Sequence, residues 1–534
     1  MKILTRCISI LFIFISTVQQ AQNVFQKTFG GTGRETGTGI TQTFDLGYIM
    51  VGKVNEPEDT TLYREYLIKT NAAGDTLWTR KLGYFDEIGS VVLQNRDSTY
   101  TILGNTNSFD PGFRNLIIKT DKDGNIIMST TLFGSDAYMI GSDIKTTIGQ
   151  YSNYIITGYG LGDLGFGGPE GLEGVFLCRT DSAGIVMWDK LYTGGSSTAL
   201  IGNSVIQCKE GGYVILFQNS DSTSIYLIEA DPLGGIGRQM GYTGTNTVVP
   251  GSIEETADGG YIITGYTNNS GAGFMDVFLM KTDDGGNISW AKTYGGILDD
   301  RGLKVKQLND KGYVICGNTF NASGTSDAYL MKTDSLGNLL WAKAYGGANA
   351  DYGYSFEQTS DHGFAIVGST KSFGSGGNDL YFIKTDSTGY SGCNEYAITP
   401  ATNTASFSAY ITTFFAYPYS YLFSNPFTLE ATPTTTTQTN MCYLAGVDET
   451  AADENNLLLY PNPASNQITL ELSEATTQTT ILQIKNTLGQ ILKTAPLTKG
   501  NKQQQIDISN LAPGFYFVQM QSGNRMISKK FIKQ

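Results

Sequence analysis

A unit of about 52 residues recurs seven times between Asn23 and Gly392, and no other feature limits the fold of this 534-residue chain so strongly. Each copy carries an aromatic residue after a glycine turn: Tyr48, Tyr100, Tyr154, Tyr213, Tyr261, Tyr313 and Phe364. Four residues later stands Gly52, Gly104, Gly158, Gly265, Gly317 or Gly368, with Phe217 as the exception. A basic column follows at Lys69, Lys119, Arg179, Lys281, Lys332 and Lys384, where the fourth copy has Glu229. All four tryptophans, Trp78, Trp188, Trp290 and Trp341, share one further column, with Met128 and Arg238 in other copies. A residue repeated in this way is a packing residue.

Within each unit four short apolar or alternating runs are separated by turn signals, and no run has helical spacing. The third and fourth runs, such as Phe364 to Val367 and Leu380 to Ile383, are almost continuously apolar, which suits strands covered on both faces. Four-stranded blades in a ring meet both conditions, because each blade buries its faces against its neighbours. The expected fold is all-β: a seven-bladed β-propeller over 22–392, closed by an N-terminal strand at Val24 to Phe29. The double glycine, tyrosine and tryptophan resemble those of kelch repeats in period and residue type, in a different order and spacing. The turn Thr333-Asp334-Ser335-Leu336-Gly337 with Trp341 is similar to the Asp-box of sialidases, itself a structural turn.

Residues 1–21 read as a signal peptide, with Lys2 and Arg6 ahead of the apolar stretch Ile8 to Val18 and a small residue, Ala21, at the cleavage point. No later segment has the roughly 20 apolar residues that a membrane-spanning helix needs. A net charge of -13 sets nucleic acid and anionic membranes aside as partners, since both reward clustered Lys and Arg. Export permits disulfides, and Cys393 with Cys442 is the expected pair. Cys178, Cys208 and Cys316 lie inside apolar runs and read as small buried hydrophobes.

In such a blade the loops on one face are short and stereotyped, as at Asp361-His362-Gly363. The other face receives the irregular segments Lys53 to Glu65, Asn105 to Arg114 and Tyr159 to Gly174. Function usually sits on variable loops of a rigid scaffold. That face should also display two acidic columns, Asp276, Asp327 and Asp379 in one, and Glu35, Glu87, Asp300 and Asp351 in the other. Clustered oxygen ligands of this kind suit Ca²⁺, and the competing reading has them hold turns. The expected cofactor content is none apart from such an ion. Glycine-rich aromatic loops such as Gly165-Phe166-Gly167-Gly168 suit a glycan or peptide. The only histidine, His362, lies in a tight turn, which disfavours an imidazole base. The chain is therefore expected to be a non-catalytic binding or adhesion module. The alternative is an extracellular carbohydrate-active hydrolase that works through two carboxylates.

Between 393 and 456 the repeat stops and Thr, Tyr, Phe and Pro dominate. The aromatics Phe414, Phe415, Tyr417, Tyr419, Tyr421 and Phe423 should pack on the propeller or form a small hairpin. Residues 457–534 then carry Leu459-Tyr460-Pro461-Asn462-Pro463, Leu488-Gly489-Gln490, Ala512-Pro513-Gly514-Phe515-Tyr516 and the ending Lys529-Lys530-Phe531-Ile532-Lys533. These segments closely resemble the type A C-terminal sorting domain of the type IX secretion system, with Pro461, Asn462, Pro463, Gly489, Pro513, Gly514 and Tyr516 as the motif residues. The resemblance implies an immunoglobulin-like sandwich that engages the type IX machinery and takes cargo across the outer membrane. After processing, such cargo is released or attached to surface lipopolysaccharide.

Overall fold

The runs of the repeat form strands, and no helix occurs among the described residues. The computed structural model describes residues 23–533 apart from 57–58, 84–86, 108–112, 134–138, 150–152, 163–171, 195–198, 269–272, 322, 418–422, 427–428, 442–456, 473–474, 477–479, 486–490, 513 and 523–524. Residues 1–21, read from the sequence as a signal peptide, therefore lie outside the described residues. The chain divides into two units, one ending at Cys442 and one beginning at Tyr443.

The first unit is a propeller of seven antiparallel sheets. In blade 1 the strands run from the channel outward as Arg34–Gln42, Tyr48–Glu56, Asp59–Thr70 and Thr76–Leu82. Blade 7 takes its first three strands, Asp351–Gln358, Phe364–Thr370 and Asp379–Thr385, from the end of the repeat region. Its fourth, Phe25–Gly30, comes from the chain's beginning. Pairing of Phe25 with Lys384 and Phe29 with Leu380 closes the ring, as the sequence predicts. Seven apolar clusters fill the seven blade junctions; the one between blades 7 and 1 joins Phe382 and Val367 to Tyr48 and Met50. Fully burying each such side chain contributes about 1.5–3 kcal/mol. Each innermost strand has a β-bulge at the same level, between Gly37 and Gly39 in blade 1 and between Gly353 and Ser355 in blade 7. Bulges re-aim side chains, and these turn Thr38 and Tyr354 toward the mouth of the central channel.

The sheets have five strands where four are expected. The fifth comes from the segment after the repeats, which forms neither a linker nor a hairpin. It runs round the rim against the order of the blades, pairing Glu395–Ala397 with blade 6, Ala401–Thr404 with blade 5 and Ser408–Ile411 with blade 4. Phe414–Tyr417, Phe423–Pro426, Ala431–Pro433 and Thr437–Asn440 continue to blades 3, 2, 1 and 7. An outermost strand offers unpaired N–H and C=O groups, so this belt satisfies the edge of every blade. Its side chains are mostly exposed, with inward anchors at intervals. Phe414 packs at 5.0 Å from Phe217 and 5.1 Å from Tyr226, while Phe415 faces solvent. Tyr419 and Tyr421 lie outside the described residues. Both ends of the belt meet Gln26, whose Nε2 donates to Ser391 Oγ (2.8 Å) and to the Cys393 carbonyl, and whose own carbonyl accepts from Met441 N (3.0 Å).

In the second unit, Leu457–Tyr460, Gln467–Leu472 and Gln503–Asp507 form one sheet, and Thr480–Lys485, Ile491–Leu497, Gly514–Ser522 and Arg525–Lys533 form another. Their alternating inward residues, including Ile468, Leu470, Ile484, Val518 and Phe531, make one core. Two sheets over one core make the β-sandwich that the resemblance to sorting domains implies.

Candidate functional site

The acids singled out in the sequence are not displayed on the loop face but lie beneath it, none of Asp276, Asp300, Asp327, Asp351 and Asp379 more than 7% exposed. The structure joins the two columns in pairs across successive blade junctions. A β-carbon on Gly346 would collide with Asp327 Oδ1 and lie 2.6 Å from Asp351 Oδ2, so both carboxylates converge on one glycine. Asp276 and Asp300 converge in the same way on Gly295, and Asp379 and Glu35 on Gly30. Asp351 Oδ2 accepts from Gly347 N (2.7 Å) and Ser372 Oγ (2.6 Å), and Asp300 Oδ2 accepts from Gly296 N (2.8 Å). Asp327 Oδ2 accepts from Tyr396 of the belt at 2.6 Å. Burial pushes Asp379 up to about 6, and burial with the Asp276 charge pushes Asp300 up to about 6. Burial also raises Asp327. Two carboxylates fall short of the 6–8 oxygens Ca²⁺ takes, and among the described residues no group of three or more His, Cys, Asp or Glu could hold a metal. The hydrogen bonds support a turn-holding role. The side chain of Glu87 lies outside the described residues.

On the irregular-loop face, between blades 7 and 1, a cleft of about 810 Å³ opens toward the channel. Arg34, Thr36 and Thr38 come from the innermost strand of blade 1, and Lys53 and Tyr63 from its next two strands. Blade 7 contributes Tyr354 and the loop residues Lys371, Gly376, Gly377 and Asn378, with Asn349 from the loop before it. Glycine is required along this wall. A β-carbon on Gly377 would sit 2.6 Å from Arg34 Cγ, and one on Gly376 2.8 Å from the Gly31 carbonyl. Gly377 N donates to Gly33 O (3.1 Å) and Glu35 N to Asn378 O (2.7 Å), which ties the loop of blade 7 to the first strand of blade 1. Asn349 Nδ2 donates to Lys371 O (3.2 Å), and Asn55 Oδ1 accepts from Arg34 N (2.9 Å). The Lys53 ammonium stands 4.6 Å over the Tyr63 ring, and Tyr354 stacks on Tyr352 at 5.8 Å and 7°. Among the described residues Arg34, Lys53 and Lys371 form no ion pair. No carboxylate or imidazole lines the cleft among them either.

Sequence reasoning marked Lys53 to Glu65 as irregular and so reached Lys53 and Tyr63. It passed over Arg34, Tyr354, Lys371 and Asn378, whose meeting depends on ring closure; the run Gly374, Gly376, Gly377 was the signal available. The glycine-rich segment Gly165-Phe166-Gly167-Gly168 lies outside the described residues.

Below the cleft the channel holds Asp143, Lys145, Glu254, Lys304, Lys306 and Glu357. Lys145 pairs with Asp143 at 2.5 Å and Lys306 with Glu254 at 3.5 Å. Burial lowers Lys304, which donates to Ser355 Oγ at 3.0 Å, and raises Glu254 and Glu357. His362 takes a left-handed turn conformation (φ 64°) in an exposed hairpin. Cys178, Cys208 and Cys316 are free, and burial pushes Cys208 up to about 11 and Cys316 up to about 12.

In the tail, Asn462 Oδ1 accepts from Ile532 N (2.9 Å) and Ala464 N donates to Ile532 O (2.8 Å), so the segment Pro461-Asn462-Pro463 is laced to the last strand. Tyr516 OH donates to Ala512 O (2.7 Å), which pins the corner that leads into the strand starting at Gly514. Gly489 and Pro513 lie outside the described residues.

Residues 458–534 match the family described as the secretion system C-terminal sorting domain. Comparison with curated proteins gives no match. Among solved structures, a glycoside hydrolase family 32 protein from Bifidobacterium adolescentis aligns over 95% of each chain at 8% identity with a TM-score of 0.24. A likeness that weak carries no argument about chemistry.

Proposed function

From the premise that the chain is cargo of type IX secretion, carried by its sorting domain to the cell surface or the extracellular space, we propose that the propeller is a non-catalytic binding module. It meets its ligand in the cleft between blades 7 and 1. The observation that carries this reading is the cleft itself: a concave, mainly polar site on a rigid ring, edged by loops and lined by residues that recognise rather than react. Hydrolysis through two carboxylates would need a pair facing the substrate, whereas the paired acids of the two columns lie under the loops and hold glycine turns, and the channel acids Asp143 and Glu254 are each paired with a lysine. Adhesion to a surface glycan or protein fits an exported module of this kind.

Two further elements belong to the proposal. Residues 1–21 act as the signal peptide that precedes type IX export. Cys393 pairs with Cys442, which closes the belt on itself. Supporting the pairing, Cys393 is not among the free thiols, and Cys442 follows Met441, whose N–H reaches the same Gln26 that holds Cys393.

The test is an array of glycans and surface proteins probed with the full mature chain, wild type and Arg34→Gln/Lys371→Gln. Binding that the double substitution reduces supports the cleft. Binding that it leaves unchanged moves the site elsewhere. Release of reducing ends from any arrayed glycan would replace the binding reading with the hydrolase.

A further inference from the structure

We infer that the cleft between blades 7 and 1 takes an acidic polysaccharide, a chain whose sugars carry carboxylate or sulfate groups; this rests on the binding reading above and names its ligand.

The charge pattern is the first ground. The blade lysines have structural employment: Lys69, Lys119, Lys281, Lys332 and Lys384 each pair with the Asp of the turn beside them, at 2.7–3.3 Å. Arg34, Lys53 and Lys371 depart from this pattern. They reach one cleft from three different strands and loops, and no carboxylate among the described residues neutralises them. In a chain of net charge -13, a pocket that the described residues line with three cations and no acid favours an anion. The guanidinium of Arg34 adds a planar donor fork that matches a carboxylate or sulfate.

The second ground is the rest of the lining. Tyr63 and Tyr354 offer ring faces for the C–H side of a pyranose, and Asn349, Asn378 and Thr36 offer donors and acceptors for hydroxyls. This mixture suits a sugar and leaves a purely apolar ligand without a partner. The third ground is long-range charge. Nucleic acid packs phosphates closely, and most of them would face an acidic surface. A polysaccharide in which acidic sugars are separated along the chain can engage three cations while setting less charge against the remainder of the protein. The open end of the cleft, shared with the channel mouth at Thr38 and Tyr354, leaves room for the polymer to continue past the bound segment.

Calorimetric titration of the full mature chain with oligogalacturonate, its methyl ester, chondroitin sulfate and dextran tests the inference. Oligogalacturonate or chondroitin sulfate should bind. The methyl ester should bind at least tenfold more weakly than its acid, and raising salt from about 50 to about 300 mM should weaken binding severalfold. Arg34→Gln and Lys371→Gln should each cost about tenfold in affinity. Both side chains are exposed, so the melting temperature serves as the control that the fold is intact. Equal binding of acid and ester, or of dextran, that Arg34→Gln/Lys371→Gln abolishes would overturn the anionic ligand and leave the cleft as a binding site. Binding of the anions that the double variant retains would overturn the assignment to this cleft. No binding of either anionic chain would overturn the inference as well.

Discussion

Lys281 and Asp258 show how the repeat columns work at the scale of a residue. The lysine on the third strand reaches back to the aspartate of the hairpin before it, at 3.0 Å, and the same pair recurs at Lys69–Asp45, Lys332–Asp310 and Lys384–Asp361. Where the column breaks, the partner is missing too. The hairpin between Cys208 and Gly212 has no Asp, and Glu229 instead accepts from Arg238 (2.9 Å) and Tyr261 (3.0 Å). The Asp-x-x-Gly turns have a comparable cause. Asp334 Oδ1 accepts from Leu336 N and Asn338 N at 2.9 and 2.8 Å, and Gly337 adopts φ 71° with Trp290 of the preceding blade against it. A β-carbon there would stand 2.7 Å from the Trp290 ring. Gly337→Ala should therefore destabilise the propeller by roughly 2–4 kcal/mol, from left-handed strain and the loss of that contact, as measured by denaturant unfolding. The buried acids give a pH prediction. Asp300 and Asp379 bind protons more tightly in the folded chain (about 6) than an ordinary aspartate does, so their contribution favours folding at low pH and is lost as pH rises through about 6. The wild-type unfolding midpoint should be higher at pH 5 than at pH 7.5, and Asp379→Asn should flatten that difference. A midpoint that rises with pH in this window would contradict the burial account.

The belt is the element with the widest mechanical reach. Its backbone pairs with every blade, and its ends return to the N-terminal strand at Gln26, so one segment covers seven edges and reinforces the closure of the ring. Deleting residues 393–442 should expose those edges and produce self-association, read by light scattering and size-exclusion chromatography; a monomer of unchanged stability would show the belt to be dispensable. If Cys393 and Cys442 are joined, the loop closed between them constrains the unfolded chain. Reduction or Cys393→Ser should then lower stability by about 4 kcal/mol in the chain-entropy description, with no change in the folded far-ultraviolet spectrum.

For the whole molecule, ring closure does more than stabilise. Bringing blade 7 beside blade 1 places Lys371 next to Arg34 and creates a cleft that no local stretch of sequence contains. Delivery belongs to the other unit, whose strands and core form within residues 457–533. Removal of 458–534 should leave the propeller inside the cell envelope, which fractionation with immunodetection would reveal; unchanged surface delivery would contradict the sorting assignment.

Period and composition by themselves determined the seven blades, the strand positions and the closing strand, because each is a local pattern repeated or alternating along the chain; the sandwich followed from the resemblance of the tail to sorting domains. The sorting motif was legible as several short segments, each local in sequence, that resemble those of the sorting-domain family. Two outcomes needed the tertiary structure. The belt has short, threonine-rich strands whose outer faces are exposed, so they lack the alternation that marks a strand, and they exist only because seven blade edges offer hydrogen bonds. The acidic columns looked like surface ligands because Asp is usually solvated, yet packing of neighbouring blades buried them in pairs against glycine turns. The cleft, too, was decided by closure of the ring, since its cations acquire a common ligand surface only when the two ends of the repeat array meet.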